Sequence, residues 1–132
     1  MPELAIGRGV TFQRTFIQED FNAFALLTGD NNPIHVDPDF AARSRFGRTV
    51  AHGMLLYSVL SNGLSGYSPW LVQQSLEMKF VTPTYTDEPV TFSLEVTGMD
   101  VNDDDTLTSN VDRRTRTVTD YYAKSGEGDV RR

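Results

Sequence analysis

Apolar and polar residues alternate from Val10 to Phe16, and this period of two predicts a β-strand with one buried face. The next segment begins at Gln18 and places bulky side chains at the spacing of one helix face. These residues are Phe21, Phe24, Ala25 and Thr28. Gly29 is expected to end this helix, because glycine readily adopts the left-handed conformation of a helix terminus.

A short second helix is predicted after a turn. Asn31-Asn32-Pro33 has the composition of a turn. Asp37-Pro38 combines a side-chain oxygen that can cap a helix with a proline suited to the first helical position. We expect the helix to continue to about Phe46 and to end at Gly47.

The segment from His52 to about Leu64 is apolar on nearly every side. A helix without a polar face is typical of the interior of a domain, so this segment is predicted to form a buried helix. Gly63 and Gly66 are expected to close it.

Four more strands are predicted after Trp70, and short connections between them favour an antiparallel meander. They are Gln74–Val81, Pro89–Met99, Thr106–Thr115 and Asp120–Val130. Turns are expected at Asn102–Asp105, in which Asp103-Asp104-Asp105 is interpreted as a hairpin tip, and at Thr117–Asp120. No repeat or linker interrupts the chain, so residues 1–132 are expected to form a single α+β domain with one sheet curled around the buried helix. The edge and apolar rim of such a sheet favour a homodimer.

Composition narrows the possible functions. The 132 residues are 39% hydrophobic and 23% charged, which is ordinary for a soluble globular protein. The absence of cysteine excludes disulfides and thiolate metal sites and fits a cytoplasmic protein. The net charge of −6 argues against nucleic-acid binding, and no apolar run is long enough for a membrane span. With two histidines and no glycine-rich dinucleotide loop, neither a metal nor an organic cofactor is expected.

Candidate chemistry is concentrated around Asp30 and His35, which lie five residues apart across the turn. A carboxylate and an imidazole close together can hold and activate one water molecule. Gly53 opens the apolar helix, and the N–H groups of a helix N-terminus can stabilise a developing oxyanion. This combination suggests addition of water to an activated carbonyl compound, or its removal.

The same segment resembles the MaoC-like dehydratase family, and within it the (R)-specific enoyl-CoA hydratases. The signature of those hydratases is matched at every position. The matching residues are Phe24, Leu27, Thr28, Gly29, Asp30, Asn32, Pro33, Ile34, His35 and Ala41, with His52-Gly53-Met54 following. The likeness extends over the whole chain in the order of elements, but residue-level specificity is confined to Phe24–Ser61.

The resemblance implies a hot-dog fold, in which a five-stranded antiparallel sheet wraps around a long buried helix. It implies that Asp30 and His35 are the catalytic pair and that Gly53 donates its backbone N–H to a thioester carbonyl. Ser61 would be a site serine, and Asn32 would brace the loop. The implied reaction hydrates trans-2-enoyl-CoA to (R)-3-hydroxyacyl-CoA, reversibly and without a cofactor, on an acyl-CoA thioester as the partner molecule.

Three alternative functions remain open. The same chemistry could serve as a 3-hydroxyacyl dehydratase on a coenzyme A or carrier-protein thioester. A hot-dog thioesterase and a non-catalytic acyl-thioester-binding subunit are the other two, and an intact Asp30/His35 pair argues against both. His52 is expected to be structural, and Ser61 could simply bond to a carbonyl one turn back.

Two sets of side chains also have alternative interpretations. The aromatic set is expected to belong to the core rather than to an acyl pocket, and it comprises Phe21, Phe24, Phe40 and Phe46. The basic set is expected to be a solvated face rather than a contact for the phosphates of coenzyme A, and it comprises Arg43, Arg45 and Arg48.

Overall fold

The computed structural model describes residues 7, 9–66, 72–80, 82–99, 105–111 and 117–124. A strand and four helices come first in this part of the chain, and four strands follow. The strands are β1 (Gly9–Thr15), β2 (Val72–Phe80), β3 (Pro89–Met99), β4 (Asp105–Val111) and β5 (Thr117–Lys124). The helices are α1 (Gln18–Thr28), α2 (Pro33–Val36), α3 (Pro38–Ala42) and α4 (Gly53–Ser65).

The five strands form one sheet in the order β1-β3-β4-β5-β2, and each neighbouring pair is antiparallel. The predicted number of strands and their antiparallel pairing are therefore present. The predicted meander is correct from β3 to β5 and wrong for β2, which pairs with β5 so that Phe80 lies opposite Thr117. β2 cannot lie beside β3, because β1 and β4 occupy the two edges of that strand.

The predicted turn at Thr117–Asp120 is wrong, since these residues form the first half of β5. Three of the four residues, Thr117, Val118 and Thr119, are β-branched and favour extended structure, and the backbone of the segment pairs with β2 and β4. Of the predicted hairpin tip only Asp105 is described, as the first residue of β4. The predicted ends of the last two strands, at residues 112–115 and 125–130, lie outside the described residues.

Helix α1 ends at Gly29 as predicted, with a φ of 83° and a 2.8 Å hydrogen bond from the Gly29 N–H to the Ala25 carbonyl. Its N-terminus is capped by Asp20, whose carboxylate accepts the Ile17 N–H at 2.9 Å. The buried face is narrower than predicted, because Phe21 and Ala25 are buried while the remaining two positions are half-buried or exposed.

The predicted helix from Asp37 to Phe46 ends earlier, at Ala42. Its start is as expected, since the Asp37 carboxylate accepts the N–H groups of the next turn. Ser44 then redirects the chain, because its hydroxyl donates to the Ala41 carbonyl at 2.7 Å and accepts the Phe46 N–H at 3.2 Å. These local bonds compete with further helical hydrogen bonds.

Helix α4 packs one face against the sheet rather than being buried on all sides. Leu56, Tyr57 and Leu60 are buried in the main core, together with aliphatic and aromatic residues of β3. Met54 remains 48% exposed, and the polar residues of the same outer face are also exposed. The prediction of a helix buried on every side is therefore wrong within the described chain.

Gly63 lies inside α4 and does not end the helix. A Cβ at this position would approach the side chains of Phe12 and Leu94 to 2.8 Å. The glycine thus permits the close contact between helix and sheet. No helix in the described part of the chain has both the length and the apolar character needed to cross a membrane.

Candidate active site

The loop that carries Asp30 and His35 is shaped by the end of α1 and by the single helical turn α2. The Asn32 side-chain oxygen accepts the Ile34 N–H at 3.1 Å and so caps α2. Pro33 occupies the first helical position, where its missing N–H costs nothing. His35 therefore lies in the last turn of a short and well-capped element, while Asp30 lies just beyond Gly29.

The imidazole of His35 is oriented by a backbone carbonyl. Its Nδ1 lies 2.7 Å from the carbonyl oxygen of Val50. Because a carbonyl can only accept, Nδ1 carries the proton in this hydrogen bond. In the neutral ring Nε2 is then the basic nitrogen, and His35 is only partly buried.

His52 packs directly against this ring. The two imidazole centroids are 3.8 Å apart and the ring planes are 25° from parallel. His52 is only 2% exposed, and its Nε2–H donates to the Asp30 backbone carbonyl at 2.8 Å. The Phe24 ring also contacts His52, with an edge-to-face geometry and a centroid distance of 4.9 Å. His52 thus connects the backbone of one predicted catalytic residue with the ring of the other.

Burial also favours the neutral form of His52. Desolvation lowers the pKa of His52 below its ordinary 6.5, although the hydrogen bond to the Asp30 carbonyl opposes this change, and the nearby His35 lowers the pKa further. The Nδ1 atom of His52 is buried and has no hydrogen-bond partner among the described residues. A proton added there would have no acceptor.

The structure gathers Asp30, His35 and His52 into one cluster, in which a potential ligand atom of each lies within 4.8 Å of the others. A mixed carboxylate and imidazole set of this kind could hold a divalent cation. However, the Nδ1 of His35 and the Nε2 of His52 already donate to carbonyl groups. The cluster therefore presents chiefly the Asp30 carboxylate and the second nitrogen of His35 for chemistry.

Gly53 is the first residue of α4 and directly follows His52. It lines a cavity of about 250 Å³ together with Arg45, Phe80 and other residues between 46 and 84. The Phe80 ring packs on the Gly53 backbone so closely that a Cβ there would lie 2.7 to 2.9 Å from ring atoms. The N-terminus of α4 thus adjoins both the histidine stack and an open cavity.

The other predicted site residues are arranged differently. Ser61 lies eight residues along α4 from Gly53, and its side chain is close enough to that of Tyr57 to form a hydrogen bond. Burial raises the pKa of Tyr57, and the bond to Ser61 opposes that change. Ser61 is therefore not hydrogen-bonded to Asp30 or His35 in the described structure.

The aromatic and basic sets also differ in part from expectation. Phe40 is 41% exposed, so it is not a core residue, and Phe46 is half-buried at the cavity. Arg48 forms an ion pair with Glu88 and lies over the Tyr85 ring, so it is not simply a solvated charge.

Comparison with known proteins identifies the family. The model of the MaoC like domain matches residues 3–119, which is most of the chain. The chain is a member of the MaoC-like family. This family consists of hydratases and dehydratases that add water to acyl thioesters or remove it.

Two curated relatives of this MaoC-like protein bear related names. The (R)-specific enoyl-CoA hydratase of Aeromonas caviae is 37% identical over 100 residues, covering 73% of each chain. A mitochondrial 3-hydroxyacyl-[acyl-carrier-protein] dehydratase of Arabidopsis thaliana is 32% identical over 87 residues, covering 66% of this chain and 52% of the relative. The matched regions thus span about half to three quarters of these relatives.

A solved structure described as the (R)-hydratase from A. caviae involved in PHA biosynthesis matches with a TM-score of 0.80 and 30% identity. The match covers 92% of this chain and 95% of that one. This likeness assigns the MaoC-like chain to the hot-dog fold.

The sequence reasoning missed two residues beside the site, Gln18 and Thr49. The Gln18 amide donates to the His35 carbonyl at 2.9 Å and accepts the Thr49 hydroxyl at 2.7 Å. The sequence pattern placed Gln18 only at the start of the predicted helix, and it is the first residue of α1, with Ile17 as the N-cap residue. No sequence pattern marks these contacts, because 17 and 31 residues separate Gln18 from its two partners.

The lowered pKa of His52 gives a pH-dependence of stability. Below pH 6.5 the unfolded chain protonates this histidine while the folded chain resists, so the free energy of unfolding should fall as the pH falls from about 7 through the lowered folded pKa. Thermal melts across this range would measure it. His52→Gln keeps a donor for the Asp30 carbonyl but cannot titrate. Its melting temperature should therefore fall less than that of the wild type as the pH is lowered over this range. Equal pH-dependence in both proteins would contradict this assignment.

Proposed function

We propose that this protein catalyses the (R)-specific hydration of trans-2-enoyl-CoA to (R)-3-hydroxyacyl-CoA and the reverse dehydration. The observation that carries the proposal is the cluster of Asp30, His35 and His52 within 4.8 Å, at the start of α4. The names of the curated relatives support this substrate class.

In the proposed reaction Asp30 and the Nε2 of neutral His35 hold one water molecule through its two hydrogen atoms. Both groups are acceptors, so the oxygen lone pair of the water is left to attack C3 of the enoyl thioester. Asp30 takes the water proton as the oxygen–carbon bond forms, and His35 orients the water. The pair then delivers a proton to C2, which restores both groups.

The attack on C3 moves the electrons of the double bond toward the thioester oxygen. Gly53 begins α4, and an N–H at a helix N-terminus stabilises such charge best in a site that excludes water. We therefore propose that the Gly53 N–H donates to the thioester carbonyl. Asn32 supports the loop as the cap of α2, while a role for Ser61 would involve substrate rather than the catalytic pair.

We further propose that the protein is a homodimer. Leu26 and Leu27 are 87% and 83% exposed beside the site loop, and Met54 is 48% exposed on the outer face of α4. In addition, β2 is a terminal strand of the sheet, and no strand among the described residues pairs with its outer edge. An apolar surface combined with a free strand edge favours pairing with a second copy.

A 3-hydroxyacyl dehydratase acting on a carrier-protein thioester is the second candidate, supported by the name of the A. thaliana relative. It would use the same residues, since hydration and dehydration share one transition state. The two candidates differ in the carrier that binds outside the reacting atoms.

The test is loss of enoyl-thioester absorbance when purified protein is added to trans-2-enoyl-CoA substrates of increasing chain length, with chiral analysis of the product. We expect turnover to the (R)-3-hydroxyacyl thioester without a metal. Faster turnover of the matching carrier-protein thioester would favour the second candidate. Release of free coenzyme A from saturated acyl-CoA at comparable rates would mean that the protein is a thioesterase, and both candidate functions would be wrong. Binding without turnover would indicate a non-catalytic subunit.

A further inference from the structure

Gln18, the first residue of α1, is hydrogen-bonded to His35, which lies 17 residues further along the chain. Its Nε2 donates to the backbone carbonyl of His35 at 2.9 Å and to the Asn22 side-chain oxygen at 3.1 Å. The bond to the His35 carbonyl is partly buried, so it is partly shielded from competition with water.

The oxygen of the same amide accepts the hydroxyl of Thr49 at 2.7 Å, and Thr49 is only 5% exposed. Thr49 directly precedes Val50, whose carbonyl holds the His35 ring through Nδ1. One amide therefore links the backbone that carries His35 to the segment that orients its ring.

Capping of α1 does not require this side chain. Asp20 accepts the Ile17 N–H at 2.9 Å and thus supplies the N-terminal cap. Besides its contact with Asn22 in the same helix, the Gln18 amide bonds to His35 and Thr49, which lie outside α1. An uncharged amide suits this position, because it donates to one partner while accepting from the other.

We propose that Gln18 is a positioning residue of the reaction, acting through His35 and not touching substrate. This inference rests on the proposed hydratase function. An acid–base group must be held close to its productive geometry, and a displacement of about 1 Å can lower the rate on the order of 100-fold. Without the Gln18 amide, the His35 backbone would lose its hydrogen bond to α1. It would also lose its connection, through Thr49, to the segment whose Val50 carbonyl orients the His35 ring.

The test compares Gln18→Glu with Gln13→Glu, the same substitution on the exposed face of β1. In Gln18→Glu the side chain keeps its size and its acceptor for Thr49, but a carboxylate oxygen faces the His35 carbonyl. We expect kcat to fall about 10-fold or more, with KM changed less than about 2-fold. Gln13→Glu should stay within about 2-fold of the wild type in both constants.

A pH profile separates positioning from a general structural role. A protonated glutamic acid can donate to the His35 carbonyl as the glutamine does, so kcat of Gln18→Glu relative to wild type should recover as the pH falls toward the ordinary carboxyl pKa of about 4.3. Gln18→Met, which cannot donate at any pH, should show no recovery. The proposal would be overturned if kcat of Gln18→Glu fell only in proportion to the fraction of folded protein and did not recover at low pH.

A measurement without turnover distinguishes this inference from the proposed function. We expect the NMR signals of the His35 imidazole to shift in Gln18→Met and to stay unchanged in Gln13→Glu. If the wild type lacks hydratase activity but the His35 signals shift, the proposed function fails and the positional link stands. If the wild type is active and Gln18→Glu retains its kcat, or if the His35 signals do not move, the inference is wrong.

Discussion

Asp30→Asn and His35→Gln are each expected to lower kcat at least about 100-fold, the low end of what a positioned acid–base group contributes. Both substitutions keep side-chain size. Asparagine cannot take a proton from water, and glutamine can still donate to the Val50 carbonyl but has no basic nitrogen. Steady-state hydration of an enoyl-CoA substrate accepted by the wild type would measure the effect, and KM should change little.

The control for this result is folding stability. Asp30 is exposed and His35 partly buried, and neither belongs to the main hydrophobic core, so the melting temperature should move by only a few degrees. The double variant should be hardly worse than either single one, because groups acting on the same water are not additive. Near-wild-type turnover in either single variant would mean that the site is wrongly assigned.

Leu60→Ala is expected to destabilise the fold by about 2 to 5 kcal/mol, the usual range for truncating a buried leucine. Leu60 is 0% exposed and packs α4 against the sheet within the main core. The loss includes both the transfer of the removed atoms and the cavity that they leave. Denaturant titration would measure the free energy of unfolding, and the melting temperature should fall on the order of 10 °C.

Leu26→Ala is the matched control, because it removes the same atoms from a helix position that is 87% exposed. Its effect should stay within about 0.5 kcal/mol in a monomer. A larger loss at high protein concentration that shrinks on dilution would instead indicate that Leu26 is buried between subunits, as the proposed homodimer allows. Equal destabilisation by both variants at all concentrations would contradict the packing of α4.

Several elements were predictable because their signals are local. The bounds of β3 follow from Pro89 and the mainly β-forming residues after it, and the end of α1 follows from Gly29. The motif around Asp30 and His35 pointed to the MaoC-like family for the same reason, since its residues are adjacent in sequence. The roles assigned to these residues stay predictions until turnover is measured.

Other features depend on where distant segments meet. The position of β2 beside β5 could not be derived, because strand order is decided by which edges are free once the whole sheet forms. The sequence predicted that α4 is buried on every side, although in the described part of the chain the sheet covers only one face of this helix.

At the site itself, the sequence by itself determined the acid, the histidine and the glycine-opened helix that follows them. Only the tertiary structure decided which tautomer His35 adopts, that His52 stacks on it, and that Gln18 holds its carbonyl. The physical reason is that hydrogen bonds and ring contacts depend on distances of a few ångströms between residues that are 15 to 22 positions apart in the chain. Neither composition nor periodicity carries that information.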